Sequence, residues 1–127
     1  LFVQKVRQSA DLAFISSLLF LEKLSINYSP GLVELPNLTG LSELRELELL
    51  NANNLKSLEP LKAVTSLQVL SITQANSLTA KSSAILQQLP DLDIVYSLFT
   101  NKDLEKRFAR MAQESEWGTR HPSVLNR

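Results

Sequence analysis

Cysteine is absent from the 127 residues, which excludes structural disulfides and every cysteine-ligated zinc or iron–sulfur centre. A cysteine-free chain also suits a reducing compartment, so a cytoplasmic location is the expectation. Only three glycines are present, too few to build a phosphate-cradling loop. None of the patterns G-x-x-x-x-G-K-[ST], G-x-G-x-x-G or G-x-S-x-G occurs. The single histidine, His121, lies beside Pro122 near the C-terminus. A serine triad or a histidine metal site therefore lacks its parts. Charge of one sign is missing as well. Thirteen basic and thirteen acidic side chains cancel, leaving neither a nucleic-acid footprint nor a polybasic membrane surface. The apolar stretch from Leu12 to Leu21 is ten residues long with two serines, too short to cross a bilayer. Asp11 at its head and the lack of a small-x-small site after it argue against a signal peptide.

What is abundant is aliphatic side chains in a fixed register. Hydrophobic residues make up 44% of the chain against 6% aromatics. Written in rows of 23, the sequence aligns Leu1, Leu24, Leu47 and Leu70 in one column, and Val3, Ile26, Leu49 and Ile72 in another. Leu12, Leu35 and Leu58 align too, as do Ile15, Leu38 and Leu61; Leu18, Leu41 and Val64; and Leu21, Leu44 and Leu67. An interval of that length, with an apolar residue at every third position, points to stacked structural repeats. In Leu47-Glu48-Leu49 the period-two alternation turns both leucines inward and Glu48 outward, as a half-buried strand requires. One such unit cannot bury its apolar edge alone. Several must stack.

Each unit opens with Leu-x-x-Leu-x-Leu/Ile: Leu21, Leu24, Ile26; Leu44, Leu47, Leu49; Leu67, Leu70, Ile72. This pattern resembles the leucine-rich-repeat family, whose signature is L-x-x-L-x-L followed by a small or asparagine-like residue. The resemblance covers residues 1 to about 97. It implies an α/β right-handed solenoid with short parallel strands on a concave face, near 1–4, 24–27, 47–50, 70–73 and 92–96. The chain departs from the family at the asparagine position, where Ser29, Ala52 and Ala75 stand and the asparagines fall one place later, at Asn53 and Asn76. No regular buried asparagine ladder is expected. Three-residue steps with Pro36, Gly40 and Pro60 predict extended or 3₁₀ return paths in the first two full copies. Thr79 to Leu89 predicts an α-helix with a threonine cap, ending before Pro90. The last strand is expected 22 residues on, Leu86, Leu89, Leu92 and Ile94 repeating the spacing of Val64, Leu67, Leu70 and Ile72.

Residues 1–99 are expected to form the repeat domain, 100–117 a C-terminal capping helix and 118–127 a flexible tail. Thr100-Asn101-Lys102-Asp103 offers a capping box, and Leu104, Phe108 and Met111 give the helix one apolar stripe. The helix reads as a cap over the last repeat; a sharper reading makes it a docking helix with Trp117 as anchor. At the other end, Leu1 and Val3 occupy strand columns. Beginning inside a repeat suggests the carboxy-terminal part of a longer protein, the alternative being a helical N-terminal cap over residues 2–20.

Outward strand positions would form the presumed concave face. The candidate partner-binding residues there are Tyr28, Arg45, Glu46, Glu48, Leu50, Asn51, Val69, Gln74, Asp93 and Tyr96. Tyr28 and Tyr96 are expected in one edge column with Asn51 and Gln74 between them, around an acidic centre of Glu46, Glu48, Asp91 and Asp93. Val95 is also expected outward. Tyrosines among mixed polar groups are a common hot-spot composition. The resulting expectation is a protein-binding module without catalysis, cofactor or metal, whose partner is another protein rather than nucleic acid or membrane. The alternative is a substrate-targeting or regulatory segment of a larger enzyme or nucleotide-binding receptor, its catalytic part upstream of Leu1.

Overall fold

The computed structural model describes residues 1–120. It is an α/β structure with one five-stranded parallel sheet and a C-terminal helix. The strands are β1 (Phe2–Gln4), β2 (Lys23–Asn27), β3 (Glu46–Leu50), β4 (Val69–Thr73) and β5 (Ile94–Leu98), and their spatial order equals their chain order. Residues pair at the interval read from the sequence: Val3 with Ile26, Leu24 with Leu47 with Leu70, and Ile26 with Leu49 with Ile72. In β2, β3 and β4 the inward positions are all leucine or isoleucine, while the outward ones mix polar and apolar residues, so a one-residue slip would expose the whole inward set. That cost locks the register. Leu44, Leu47, Leu49, Leu55, Leu58 and Leu61 are all 0% exposed, and they belong to one core cluster that runs from Val6 to Trp117.

The return paths follow the three-residue steps. A 3₁₀ helix spans Glu59–Ala63 with Pro60 in its first turn, where a missing N–H costs nothing. Residues 28–45 form turns and extended chain with no regular element. Repeated bonds close each unit at the same point: the N–H of Leu21, Leu44 and Leu67 donates to the carbonyl of Leu18, Leu41 and Val64 respectively. The small residues after the strands, Ser29, Ala52 and Ala75, are buried at 1% exposure or less. Ser29 Oγ accepts from the Val6 N–H at 3.1 Å and donates to the Asn27 carbonyl. The asparagines one place later line an exposed edge instead, with Asn76 Nδ2 donating to Asn53 Oδ1 at 3.2 Å.

The third return path differs from expectation. Thr79 caps it as expected, its hydroxyl accepting from the Ser82 N–H. The helix, however, is α only over α1 (Ala80–Ser83) and then tightens to 3₁₀ over Ala84–Gln88. A helix advances only about 1.5–2 Å per residue, far less than extended chain. More residues are therefore needed to span the same unit. Leu92 donates to Leu89 in the bond that Leu67 makes to Val64, and Leu70 pairs with Val95 rather than Leu92. The last interval is thus 25 residues, not 22. An odd shift of three swaps the faces of β5. Val95 is inward and 2% exposed, Ile94 is outward and half-buried, and the strand runs to Leu98.

At the C-terminal end, α2 (Lys102–Ser115) is capped by Asn101, whose side chain accepts from the Asp103 and Leu104 N–H groups. The cap thus falls one residue after Thr100, at asparagine, a residue type that ranks above threonine at this position. Leu104, Phe108, Met111 and Ala112 face the core, and the Phe99 and Phe108 rings lie 4.7 Å apart. The helix ends with Glu116 in the left-handed region at φ 57 and the Trp117 N–H on the Ala112 carbonyl, a Schellman ending. That turn drives Trp117 into the core at 7% exposure, so it is unavailable as a partner anchor. Gly118 then bridges to Ile94, with its N–H on the Asp93 carbonyl and its carbonyl accepting from Val95, both at 2.9 Å. The expected tail therefore starts with a bridge; its part from His121 on lies outside the described residues.

At the N-terminal end β1 is a strand, not a helical cap, and Ser9–Ser17 forms a 3₁₀ helix that buries Leu12 and Ile15. Leu1, Phe2, Leu19 and Phe20 are exposed, Phe20 at 87%.

Candidate functional site

Strand alternation sends one side chain in two to the outer face of the sheet, and the shared register stacks these into rows that cross all the strands. The central row is Phe2, Ser25, Glu48, Ser71 and Tyr96. On one side runs Lys23, Glu46, Val69 and Ile94; on the other, Gln4, Asn27, Leu50, Thr73 and Leu98. Neighbours in a row sit about 4.8 Å apart. Backbone bonds extend the pattern before the strands, Gln68 donating to the Arg45 carbonyl at 2.8 Å and Asp93 to the Gln68 carbonyl at 2.9 Å.

Glu46, Glu48, Leu50, Val69 and Tyr96 therefore gather on one face, with Arg45 and Asp93 along its entrance edge. Tyr28, Asn51 and Gln74 line the exit edge, but Tyr96 does not join them. It belongs to the central row beside Ser71, because the longer third unit moves it three places along the strand. The fifth place in the exit row falls to Phe99, which packs inward at 4% exposure. The two tyrosines thus sit on different rows and three strands apart, Tyr28 after β2 and Tyr96 on the edge strand β5.

The exit edge carries a feature that hydrophobic periodicity does not reveal. Lys5, Tyr28, Asn51 and Gln74 all adopt positive φ, between 47 and 58, at the same point of four successive units. A non-glycine side chain resists this conformation, and asparagine least so. Asn51 was the one residue in the row whose type hinted at it. The left-handed turn ends each strand and starts the inward path to Ser29, Ala52 or Ala75. Asn51 is held by its N–H on the Thr73 carbonyl at 2.9 Å and Thr73 Oγ1 at 3.0 Å. Gln74 Oε1 accepts from the Thr100 N–H.

Charge on the face is uneven. Lys23 pairs with Glu46 at 3.6 Å, and Arg45 reaches Glu43 at 4.0 Å. Both are surface pairs worth well under 1 kcal/mol or so. Among the described residues Glu48 has neither an ion pair nor a hydrogen bond. Two polar atoms near it are buried and unpartnered: Ser71 Oγ, on a residue 0% exposed, and Asn27 Oδ1. Neither Ser71 nor Asn27 stands out by residue type, since serine and asparagine on an exposed face usually meet water. Only the packing of Glu48 and Tyr96 on either side of Ser71 distinguishes it.

Asp91 and Asp93, with Gln68, Val69 and Ile94, line a shallow depression of about 550 Å³ at the entrance edge. Among the described residues no helix is long and apolar enough to cross a membrane, and no group of three or more His, Cys, Asp or Glu side chains is placed to hold a metal ion. No family model, no curated protein and no solved structure matches this chain.

Proposed function

We propose that this chain is a leucine-rich-repeat solenoid module that binds another protein across the outer, concave face of its sheet and does no chemistry of its own. The observation that carries the reading is the pairing of Leu24, Leu47 and Leu70 on three adjacent parallel strands. A register of that kind turns successive units into layers with one continuous interior, and it frees every outward position to vary. The outward rows mix half-buried apolar residues (Leu50, Val69, Ile94) with carboxylates and a tyrosine. That mixture suits a protein partner better than a small molecule, which needs a deeper and more enclosed cavity. The reading carries with it the cytoplasmic setting inferred from the lack of cysteine.

The test is capture of proteins by the immobilised full chain, compared with a Leu50→Glu/Tyr96→Ala variant and a return-path control, Glu59→Ala/Lys62→Ala. Loss of specific partners with the sheet-face variant and retention with the control is the expected result. Equal recovery by all three would remove the sheet face as the binding surface.

A further inference from the structure

Most of the exposed large apolar side chains belong to the first unit. Leu1, Leu18, Leu19 and Phe20, with Leu21 and Ser17, line a shallow depression of about 460 Å³ in which Ser17 is the only polar residue. Phe2, next in the chain, extends the apolar surface. Leu1, Phe2, Leu18, Leu19 and Phe20 are between 36% and 87% exposed. At about 200 Å² for a fully exposed phenylalanine and somewhat less for a leucine, these five present about 500 Å². That is near the upper end of what a lone monomer shows. A stable interface takes about 800 Å² from each partner, and between identical subunits about 65% of it is apolar. The five side chains supply that apolar share. Beside them runs an open strand edge, since β1 pairs with β2 alone among the described residues. Ser25 donates to the Leu1 carbonyl and Lys5 to the Asn27 carbonyl, so the alternation of a parallel ladder turns the N–H and C=O of Phe2 and Gln4 away from β2.

We propose that this end of the molecule is the interface of a two-fold dimer, covered by a second copy of the same chain. A two-fold contact needs a surface that is its own complement, each residue meeting in the partner the group that meets it in return. The first unit has both halves of such a contact. Phe20 is the projection, exposed at 87%. The depression lined by Leu1, Leu18 and Leu19 is the recess. Rotation about an axis between the copies seats each Phe20 ring in the partner's depression. The exchange buries aliphatic and aromatic surface with no charged side chain inside it. A bilayer is the poorer occupant, because hydrocarbon would leave the outward backbone groups of Phe2 and Gln4 without hydrogen bonds. A protein rim, with the water it holds, supplies them. The contact leaves the outward rows of β2 to β5 free, so it is compatible with a different partner on the sheet face.

The test is sedimentation equilibrium of the full chain over a wide concentration range, beside Phe20→Glu and a control on the far edge strand, Leu98→Glu. Leu98 is also exposed but lies on β5. The unsubstituted chain should rise reversibly to twice the monomer mass and stop there. Phe20→Glu should weaken the association about thirtyfold or more, the scale of losing an interface hot spot. Its far-ultraviolet circular dichroism should stay unchanged, because the ring is on the surface. Leu98→Glu should associate like the unsubstituted chain. A second measurement needs no substitution: isotope-filtered nuclear Overhauser spectra of a mixture of labelled and unlabelled chain. Cross-peaks between the Phe20 ring of one copy and the methyl groups of Leu1, Leu18 or Leu19 of the other are expected. A chain that stays monomeric at every concentration would overturn the proposal, and flotation of that monomer with phosphatidylcholine vesicles would assign the patch to lipid instead. Masses climbing past the dimer, equal weakening by both glutamates, or intermolecular cross-peaks confined to other surfaces would overturn it as well.

Discussion

Tyr28 offers a clean measure of the strain at the strand ends. Its φ is 47 and its side chain is 60% exposed, so removing the ring costs little packing. A left-handed conformation costs an L-residue about 1–2 kcal/mol. Alanine at this position keeps that cost, because it keeps Cβ. Glycine removes it, but adds about 0.4–1 kcal/mol of freedom to the unfolded chain. Tyr28→Gly should therefore be more stable than Tyr28→Ala by about 1 kcal/mol. With an unfolding entropy of about 2.1 cal/mol/K per residue over 127 residues, that difference corresponds to about 4 °C in Tm.

The comparison needs a position where the order reverses. Lys81, inside α1 and exposed, should lose about 0.5–1 kcal/mol more as glycine than as alanine. Urea and thermal denaturation of the four variants, followed by circular dichroism at matched concentration, gives both differences. Tyr28→Ala equal to or above Tyr28→Gly in stability would refute the left-handed turn at this row, and with it the common strand ending at Lys5, Asn51 and Gln74.

Leu47→Ala removes a fully buried side chain held between Leu24 and Leu70; it should cost about 2–5 kcal/mol, read as a lower urea midpoint with an unchanged m-value. Gly31→Ala is predicted to be destabilising by about 1–3 kcal/mol, as overpacking usually is, because its Cβ would lie 1.9 Å from the Arg7 carbonyl oxygen. Hydrogen exchange should show the loss first at Gly31, whose N–H donates to the Val6 carbonyl at 3.0 Å; unchanged protection there would argue against the close approach.

The inward half of this chain was legible because packing repeats the same demand in every unit. Leu24, Leu47 and Leu70 meet the same neighbours, so each must be large, aliphatic and correctly spaced. The reading failed where spacing alone was not enough. Leu86, Leu89, Leu92 and Ile94 satisfy a 22-residue interval by composition, yet α1 takes up extra residues and the true interval is 25. A helix and an extended return path can both place leucine at every third or fourth position, so the hydrophobic pattern does not reveal how far the chain has advanced. That single miscount moved Val95 inward and separated Tyr96 from Tyr28.

Outward positions carry no such repeated demand, which is why residue type there was a weaker guide. Glu46 and Val69 occupy one row, Glu48 and Ser71 the next, and no packing rule links the members of either pair. What distinguishes a position on this face is a local deficit instead. At Ser71 a hydroxyl is buried without a partner, a condition that costs about 1–3 kcal/mol, whereas alanine would fill the same space without the penalty. Residues that lower stability without serving the core are the ones to suspect of serving a ligand. By that criterion the buried Ser71 Oγ and Asn27 Oδ1, not the exposed Tyr28, are where the sheet face departs from what stability alone would choose.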